Sequence, residues 1–551
     1  MGQVKLGQFG LKIGLQVCQA VGGLSSPIRR AHINRMGPAV YLIGAGPGDP
    51  GLLTLRGAEL LGRVDVVLYD GLSNPRLLGH APQAEWVCVG KHGECPIWTQ
   101  DQINAEMIRL VRAGKRIARL KGGDPAVFAR TADEVEALRA EGISFEIVPG
   151  ITAALAAGSY AGIPITHRRY ASAVALVTGQ EEPGKSQSAL DWEALARFPG
   201  TLVIYMGVTT ARQWSRALME GGKPASTPVA ILRRCSLPDQ QTVFCQLDEV
   251  ADLLTPATRY RPPVIVIVGE VTHLAAELSW FDNRPLFGKK VLVTRAEQQA
   301  DELAAPLSEL GAEVLVQPAI SVSPPADWEE LDRAIRSVAG YDWIVFTSRN
   351  GVRYFFERLS RLGFDARHLG NCRIAAVGKK TAEAIAGYRL HADFVADGMS
   401  GESLAAGLIR GAETPGADGS GDPARRAAVL WVRASRGPDT VGQRLRDAGM
   451  RVTAVNAYRH EDIASADESL IAKLAAGEID WVTVTSDAIA KSLDRLFGAG
   501  LARARLAALS PAIARTLEGL GLRVDALAIE PTMAGVVEAI LAKEVEGSGK
   551  N

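Results

Sequence analysis

The chain of 551 residues predicts an α/β protein built from several lobes, each a mostly parallel sheet covered by helices. Three observations carry that prediction. Short β-branched runs alternate with helix-period stretches, glycine-rich turns close many of those runs, and the second half of the chain repeats itself. At roughly 100 to 200 residues per domain the length also exceeds what one hydrophobic core covers.

In the first half the strand-like runs are, in order, "AVYLIGAG", "DVVLYD", "RIARLKGG", "SFEIVPG", "AVALVTG", "GTLVIYMG", "PVAILRRC" and "PPVIVIVGEV", between Ala39 and Thr272. Stretches such as "LLTLRGAELLGR" and "DQINAEMIRLVRAG" between them carry apolar residues at helical spacing. "LSWFDNRPLFGKK" reads as the passage into new material, with a linker over 281–290. In the second half, "YDWIVFTSRNGVRYFFERL" from Tyr341 aligns with "IDWVTVTSDAIAKSLDRLF" from Ile479. "VLVTR" ending at Arg295 pairs with "VLWVR" ending at Arg433, and "CRIAAVGKKTAEAI" with "ARLAALSPAIARTL". Two similar lobes joined by a few segments leave a cleft, a preferred place for ligands. "GAETPGADGSGDPARR" (Gly411 to Arg426) lacks periodicity and reads as a solvated insertion.

Composition narrows the functional classes. Hydrophobic residues make up 47% and charged residues 22%, an ordinary globular profile. Lys plus Arg and Asp plus Glu balance at 61 each, so bulk charge favours neither nucleic acid nor an anionic membrane, and any basic site is local. The cysteines Cys18, Cys88, Cys95, Cys235, Cys245 and Cys372 show no C-x-x-C pair and no His cluster, a pattern of reduced cytoplasmic thiols without a metal site. Ile147 to Thr166 is charge-free and close to membrane-spanning length. Pro149, Pro164 and the flanking periodic patterns instead predict a buried helix. The first 36 residues hold Lys5, Lys12, Arg29, Arg30 and Arg35 without an acidic residue. They read as a disordered extension, or as an upstream start with Met36 as the natural one; residues 546–551 read as a tail.

Two motifs invite nucleotide readings and fail them. In "GAGPGDPGLL", Gly44 and Gly46 fit the first positions of a dinucleotide fingerprint, but Asp49 replaces the third glycine and Pro47 removes an amide. "VTGQEEPGKSQS" matches a phosphate-binding loop letter for letter through Gly179, Gly184, Lys185 and Ser186. Glu181 and Glu182 would repel the phosphates and Pro183 deletes a donor, so the segment reads as a linker between lobes. What remains is glycine turns at strand ends, in "GAGPGDP", "RLKGGDP", "VPGITAA" and "VIYMG". These suit a cofactor without phosphates, held by backbone groups and an apolar wall.

"GAGPGDP", "YDGL", "VGKHG", "RLKGGDP", "VPGITAA", "GIPITHR", "VTG" and "YMG", in this order, resemble the tetrapyrrole methylase family, specifically its uroporphyrinogen-III C-methyltransferases, over residues 37–280. The resemblance implies two α/β lobes (about 37–168 and 169–280), S-adenosylmethionine between them, and two methyl transfers to uroporphyrinogen III. The product, precorrin-2, leads to sirohaem or cobalamin. It implies cofactor contacts at Pro47, Gly122, Gly123, Asp124, Val127, Thr152, Ala153 and Met206, a proton acceptor at Asp70, a proton donor at Lys91, and a homodimer through this half. Ala129, Thr131 and Cys235-Ser236 depart from the family's pattern. An eight-carboxylate substrate needs local positive charge, for which Arg119, Lys121, Arg130, His167, Arg168 and Arg169 are the candidates.

"VLVTRA", "YDWIVFTSRNGV", "AAVGKKTAEAI", "NAYRH", "VTVTSDAIAKSL" and "EPTMAGVVEAI" resemble the uroporphyrinogen-III synthase family over 286–545. That family's bilobed fold implies one lobe from about 286–321 plus 459–545 and another from 322–457. It implies cofactor-free cyclisation of hydroxymethylbilane, with inversion of one pyrrole and loss of water. Tyr458 matches the family's candidate acid. Thr347, Ser348, Asn350, Gly378, Lys379, Thr381, Ser486 and Thr532 stand where hydroxyls and amides hold substrate carboxylates. The expected partners are the two tetrapyrrole substrates, with no nucleic acid and no membrane.

Overall fold

The computed structural model describes residues 37–90, 98–181, 188–255, 260, 262–398, 400–413, 427–437 and 439–548. Lys91, the extension 1–36, the Gly184-Lys185-Ser186 motif and most of the insertion 411–426 lie outside the described residues. The chain divides between Gly288 and Lys289 into two compact units.

The first unit holds two five-stranded sheets. One has the order β3-β2-β4-β1-β5 and is wholly parallel, from β1 (Val40–Gly44), β2 (Val66–Tyr69), β3 (Glu85–Cys88), β4 (Ile117–Lys121) and β5 (Phe145–Val148). Every residue of β1 and β4 is buried, as expected of strands covered on both faces. The second sheet has the order β6-β7-β10-β8-β9, from β6 (Val174–Thr178), β7 (Thr201–Tyr205), β8 (Pro228–Arg233), β9 (Gln241–Gln246) and β10 (Val264–Val268). Only β6 and β7 pair in parallel; β7 with β10, β10 with β8, and β8 with β9 are antiparallel. The stretch 234–240 is too short for a crossover helix and closes β8 and β9 as a hairpin.

Helices begin where short polar side chains satisfy their first amides. Thr54 accepts from Gly57 at 3.1 Å before the helix Leu55–Leu61, and Thr99 and Gln102 form a reciprocal capping box before Gln100–Arg112, each cap contributing about 1 kcal/mol. The apolar stretch after β5 forms the helix Ala153–Tyr160, with Ala154, Ala156, Ala157, Gly158 and Tyr160 buried. Among the described residues no helix is long and apolar enough to cross a membrane. Residues 281–290 do not form a free tether: Phe281 and Leu286 are buried, and Phe281 packs on Tyr160 at 4.7 Å. Cys235, Cys245 and Cys372 are free, but Cys88 is disulfide-bonded, a correction to the expectation of reduced thiols throughout.

The second unit also holds two sheets. The first, β12-β11-β19-β20-β21, is parallel throughout: β11 (Lys290–Val293), β12 (Glu313–Val316), β19 (Trp481–Val484), β20 (Arg505–Ala508) and β21 (Ala526–Leu527). The second, β13-β18-β17-β14-β15-β16, comprises β13 (Ile320–Ser323), β14 (Trp343–Phe346), β15 (Arg373–Ala376), β16 (Phe394–Val395), β17 (Ala428–Ala434) and β18 (Arg451–Asp462). Here only β13 and β18 run antiparallel, pairing Ile320 with Asp462 and Ser323 with Arg459. This ribbon is where the chain passes between lobes twice, outward through β13 and back through the far end of β18.

Candidate active sites

In the first unit three turns converge at the carboxyl edge of the parallel sheet. A Cβ on Gly44 would lie 2.5 Å from Gly150 backbone atoms, so these strands approach as only glycine allows. Gly46 and Gly123 exchange backbone hydrogen bonds at 3.1 and 2.8 Å, and Gly123 takes φ +72°. Asp124 fixes the arrangement, accepting from the Ala126 amide at 2.6 Å and the Gly150 amide at 2.9 Å. The Thr152 hydroxyl and the Ala154 amide meet the Tyr205 hydroxyl at 2.6 and 2.8 Å. This joins the helix after β5 to the end of β7 in the other lobe. Met206 follows with φ +52° and is about half exposed, and the exposed Phe128 ring lies 5.0 Å from Tyr205.

Gly122, Gly123, Asp124, Thr152, Ala153 and Met206 are therefore drawn together. Val127 and Ala153 pack partly buried on one core cluster. Pro47 stands in the first turn, which Asn74 ties down by donating to the Gly48 carbonyl at 2.7 Å. Among the described residues the arrangement offers backbone polar groups, an apolar wall and no cationic cradle, which fits a phosphate-free nucleoside cofactor.

Asp70, just past β2, accepts from Arg119 at 2.5 Å and from the Gly122 amide at 3.4 Å. Arg119 also reaches Glu134 at 3.1 Å, and Lys121 pairs with the other Glu134 oxygen. Three of the four side chains of this network, Arg119, Lys121 and Glu134, are buried, and Asp70 is partly exposed. Burial opposes the Arg119 charge, but Asp70 and Glu134 outweigh it and raise its pKa. For Lys121 burial wins over Glu134 and lowers the pKa. The expectation that Arg119 and Lys121 offer free charge to a substrate is thereby corrected: Glu134 and Asp70 together balance the two cations inside the lobe. Arg130 is exposed and pairs with Asp133 at 2.8 Å. His167, Arg168 and Arg169 lie on a separate turn, where His167 stacks on Tyr170 at 4.9 Å and Arg169 lies 5.6 Å from that ring's centre. Reading residues alone missed Glu134 and Tyr205; only the tyrosine of "VIYMG" lay within a quoted motif.

In the second unit Ser348 caps the helix Arg349–Arg361, accepting from Gly351 at 2.9 Å, and its hydroxyl lies 2.8 Å from that of Tyr458. Tyr458, in β18, stacks on Tyr354 at 5.7 Å and meets the His460 ring edge-on at 5.1 Å. Burial pushes the Tyr458 phenol's pKa up, more than the Ser348 bond pulls it down. The phenol keeps its proton at neutral pH. Burial, then Arg436, lowers the His460 pKa, so the imidazole stays neutral.

Thr347, Ser348 and Asn350 follow β14, and Gly378, Lys379 and Thr381 follow the adjacent β15, at the same sheet edge. Lys379 is exposed, whereas Thr381 is buried and its amide bonds to the Gly378 carbonyl at 3.1 Å. Ser486 and Thr532 sit at the carboxyl edge of the other sheet and cap helices, accepting from Ile489 at 3.2 Å and Gly535 at 3.0 Å. Helix starts present unbonded amides and positive dipole ends, suited to carboxylates. Also unforeseen was a cluster around Glu302, which accepts from Arg295 at 3.1 Å and pairs with Arg349. Among the described residues no group of side chains could hold a metal ion.

Comparison with known proteins accords with this division. Residues 39–251 match the family of tetrapyrrole (corrin/porphyrin) methylases, and residues 266–538 match uroporphyrinogen-III synthase HemD. The second match begins inside β10, although the structure packs that strand in the first unit. The porphyrin biosynthesis protein HemD of Ruminiclostridium josui is 36% identical over 81% of this chain and 86% of its own length. The uroporphyrinogen-III C-methyltransferase of Bacillus subtilis is 38% identical over 60% of this chain and 68% of its own. The S-adenosyl-L-methionine-dependent uroporphyrinogen III methyltransferase of Methanosarcina barkeri is 45% identical over 43% of this chain and 92% of its own. The chain belongs to the tetrapyrrole methylases in its first unit and to the uroporphyrinogen-III synthases in its second.

Proposed function

We propose that the chain performs two consecutive steps of tetrapyrrole construction. The second unit closes hydroxymethylbilane to uroporphyrinogen III, and the first methylates that product twice to give precorrin-2. The observation that carries the reading is Asp70: its carboxylate bonds the Gly122 amide, so an ionisable group stands on the turn expected to hold the methyl donor.

S-adenosylmethionine, held by Pro47, Gly122, Gly123, Asp124, Val127, Thr152, Ala153 and Met206, supplies an electrophilic methyl group when bound. Carbon attack on that methyl breaks the S–CH3 bond and leaves the pyrrole ring cationic around a fully substituted carbon; Asp70 takes the proton that the ring sheds from a neighbouring atom to become neutral again. Arg119 acts through Asp70 as a positioning residue, its guanidinium bonded to that carboxylate and anchored behind by Glu134. Lys91 in "VGKHG" is assigned proton donation by resemblance.

In the second unit Tyr458 protonates the departing hydroxyl, oriented by Ser348. Thr347, Asn350, Gly378, Lys379, Thr381, Ser486 and Thr532 hold the flexible polyanion in a productive curl, which is most of what a cofactor-free cyclisation requires. A cytoplasmic homodimer through the first unit completes the reading. It is supported by edge strand β6, which leaves Val174 and Leu176 exposed. The test supplies hydroxymethylbilane and S-adenosylmethionine together and reads products by mass and isomer. A dimethylated type III product is expected. Only the uninverted type I isomer would defeat the synthase reading, and type III without added mass would defeat the methylase reading.

A further inference from the structure

The Glu302 cluster is absorbed by neither the fold nor the residues assigned above. Arg295 follows β11 in one lobe of the second unit; Arg349 opens the helix after β14 in the other. Glu302, on the helix Glu297–Glu309, gives one oxygen to each: Oε2 to Arg295 Nη1 at 3.1 Å and Oε1 to Arg349 Nη1. Gln299 accepts from Arg295 at 2.9 Å and donates to Asn350 at 3.4 Å. Arg295 is only 9% exposed.

Two guanidinium groups around a single carboxylate form a ready receptor for such an anion. The charges do not cancel. Lys380 also bears on Glu302, so three cations act on one carboxylate, and together with the Arg349 bond they hold its pKa below the usual range despite partial burial. The surplus is positive and local in a chain of zero net charge.

The internal repeat shows that the fold does not demand this cluster. Arg433, the repeat counterpart of Arg295, turns back onto its own lobe, donating to the Gly437 carbonyl at 2.6 Å and Asp439 at 3.2 Å while lying over Trp431. The counterpart of Arg349 is Asp487, which accepts from Thr516 at 2.8 Å. Arg349 also immediately follows Ser348, the partner of Tyr458.

We propose that Arg295 and Arg349 form a two-arginine seat for one substrate carboxylate, and that Glu302 occupies it as an internal stand-in until substrate displaces it. This rests on the second unit accepting a polycarboxylate linear tetrapyrrole. Glu302 then sets specificity twice over: it keeps the paired cations from collecting small anions, and it subtracts from the affinity for the true substrate.

The test measures formation of the type III isomer from hydroxymethylbilane by the full chain, without S-adenosylmethionine, across substrate concentrations. Glu302→Gln removes the competing charge and should lower KM about threefold to tenfold, the scale of one net hydrogen bond at a partly buried site. Arg349→Met should raise KM, and in that background Glu302→Gln should no longer lower it. If Arg349→Met does not fold, Arg349→Lys serves, since it keeps the charge, loses the fork and should also raise KM. An unchanged or raised KM in Glu302→Gln overturns the proposal. So does an equal fall in KM for both single variants, the mark of a plain interlobe latch. Failure of the unaltered chain to form any type III isomer would instead remove the reading of the unit, and the seat with it.

Discussion

The two lobes of the second unit are one design used twice, and the places where they differ coincide with the residues proposed for catalysis and substrate seating. Asp342 and Asp480 each accept from the first residue of the neighbouring strand, Ala428 at 2.7 Å and Lys290 at 2.8 Å. Trp343 and Trp481 each lie under an arginine of the next strand, Arg373 at 4.2 Å and Arg505 at 4.3 Å. Asp393 and Asp525 accept from Ile374 and Leu506, and Ser348 and Ser486 each cap the following helix. These shared contacts build strand-to-helix corners. Ser348 departs from the pattern by also meeting Tyr458, and Arg349 by reaching Glu302. Both extra contacts fall in one copy of the duplicated frame.

The largest expected effect breaks the symmetry at the serines. Tyr458→Phe should slow cyclisation by roughly a hundredfold or more, the scale of a lost general acid, and leave methylation of supplied uroporphyrinogen III unchanged. Ser348→Ala and Ser486→Ala should each cost about 1 kcal/mol as lost caps, read by thermal unfolding. Of the two, Ser348→Ala should also lower kcat of isomer formation through Tyr458, whereas Ser486→Ala, at a proposed substrate contact, should act on KM. An unchanged kcat in Ser348→Ala would mean that Ser348 does not orient Tyr458.

A second contrast lies beneath the tryptophans. The Trp481 indole donates to Glu544 at 2.7 Å, and Glu544 also binds Lys289 at 3.2 Å and Arg505. The Trp343 indole nitrogen is buried without a hydrogen-bond partner. Both are buried, so replacement by phenylalanine removes similar volume from each. Trp481→Phe additionally leaves Glu544 short of a donor, while Trp343→Phe relieves an unsatisfied group. The two variants should differ by about 1 to 3 kcal/mol, the cost of a buried unpaired polar group, with Trp481→Phe the less stable. Equal losses would show that the Glu544 bond contributes nothing net.

Much of this frame was legible in the residues because it is local or repeated. β-branched runs buried on both faces announce strands, and Asp-Trp followed by Thr-Ser recurs at a fixed offset. Strand direction was less legible: β8 and β10 read like the parallel strands before them, since alternation carries no sign of orientation, and β9 is absent from the strand-like runs altogether. Charge was least legible. Arg119 and Lys121 look like substrate cations until the helix Thr131–Ala140 lays Glu134 between them, a contact that no spacing within "RLKGGDP" reveals. The Glu302 cluster joins residues from both lobes, and only the chain's double crossing through β13 and β18 brings them together.

The smallest contrast concerns acid stability. In one lobe Asp332 takes two bonds from Arg358, at 2.6 and 2.7 Å; at the ribbon, Asp462 is shared by Arg436 at 3.0 Å, Arg495 at 3.2 Å and the Ser492 hydroxyl at 3.0 Å. The Arg358 bonds lower the pKa of Asp332, and Arg436, with further help from Arg495 and Ser492, lowers that of Asp462. A carboxylate with a depressed folded pKa contributes stability above its unfolded value, about pH 4, and loses it as pH falls through the folded value. Asp332→Asn should therefore cost about 1 kcal/mol or less at pH 7, as expected for partly exposed pairs, and nothing once the pH is below the folded pKa. Asp462→Asn should behave alike, because the amide Oδ1 still accepts from the Ser492 hydroxyl, whereas Asp462→Ala should keep a residual penalty at low pH from the lost acceptor. Calorimetry of the second unit's transition in the full chain, from pH 7 down to pH 3, separates the cases. A gap for Asp332→Asn that stays constant with pH would assign that pair's value to packing rather than charge.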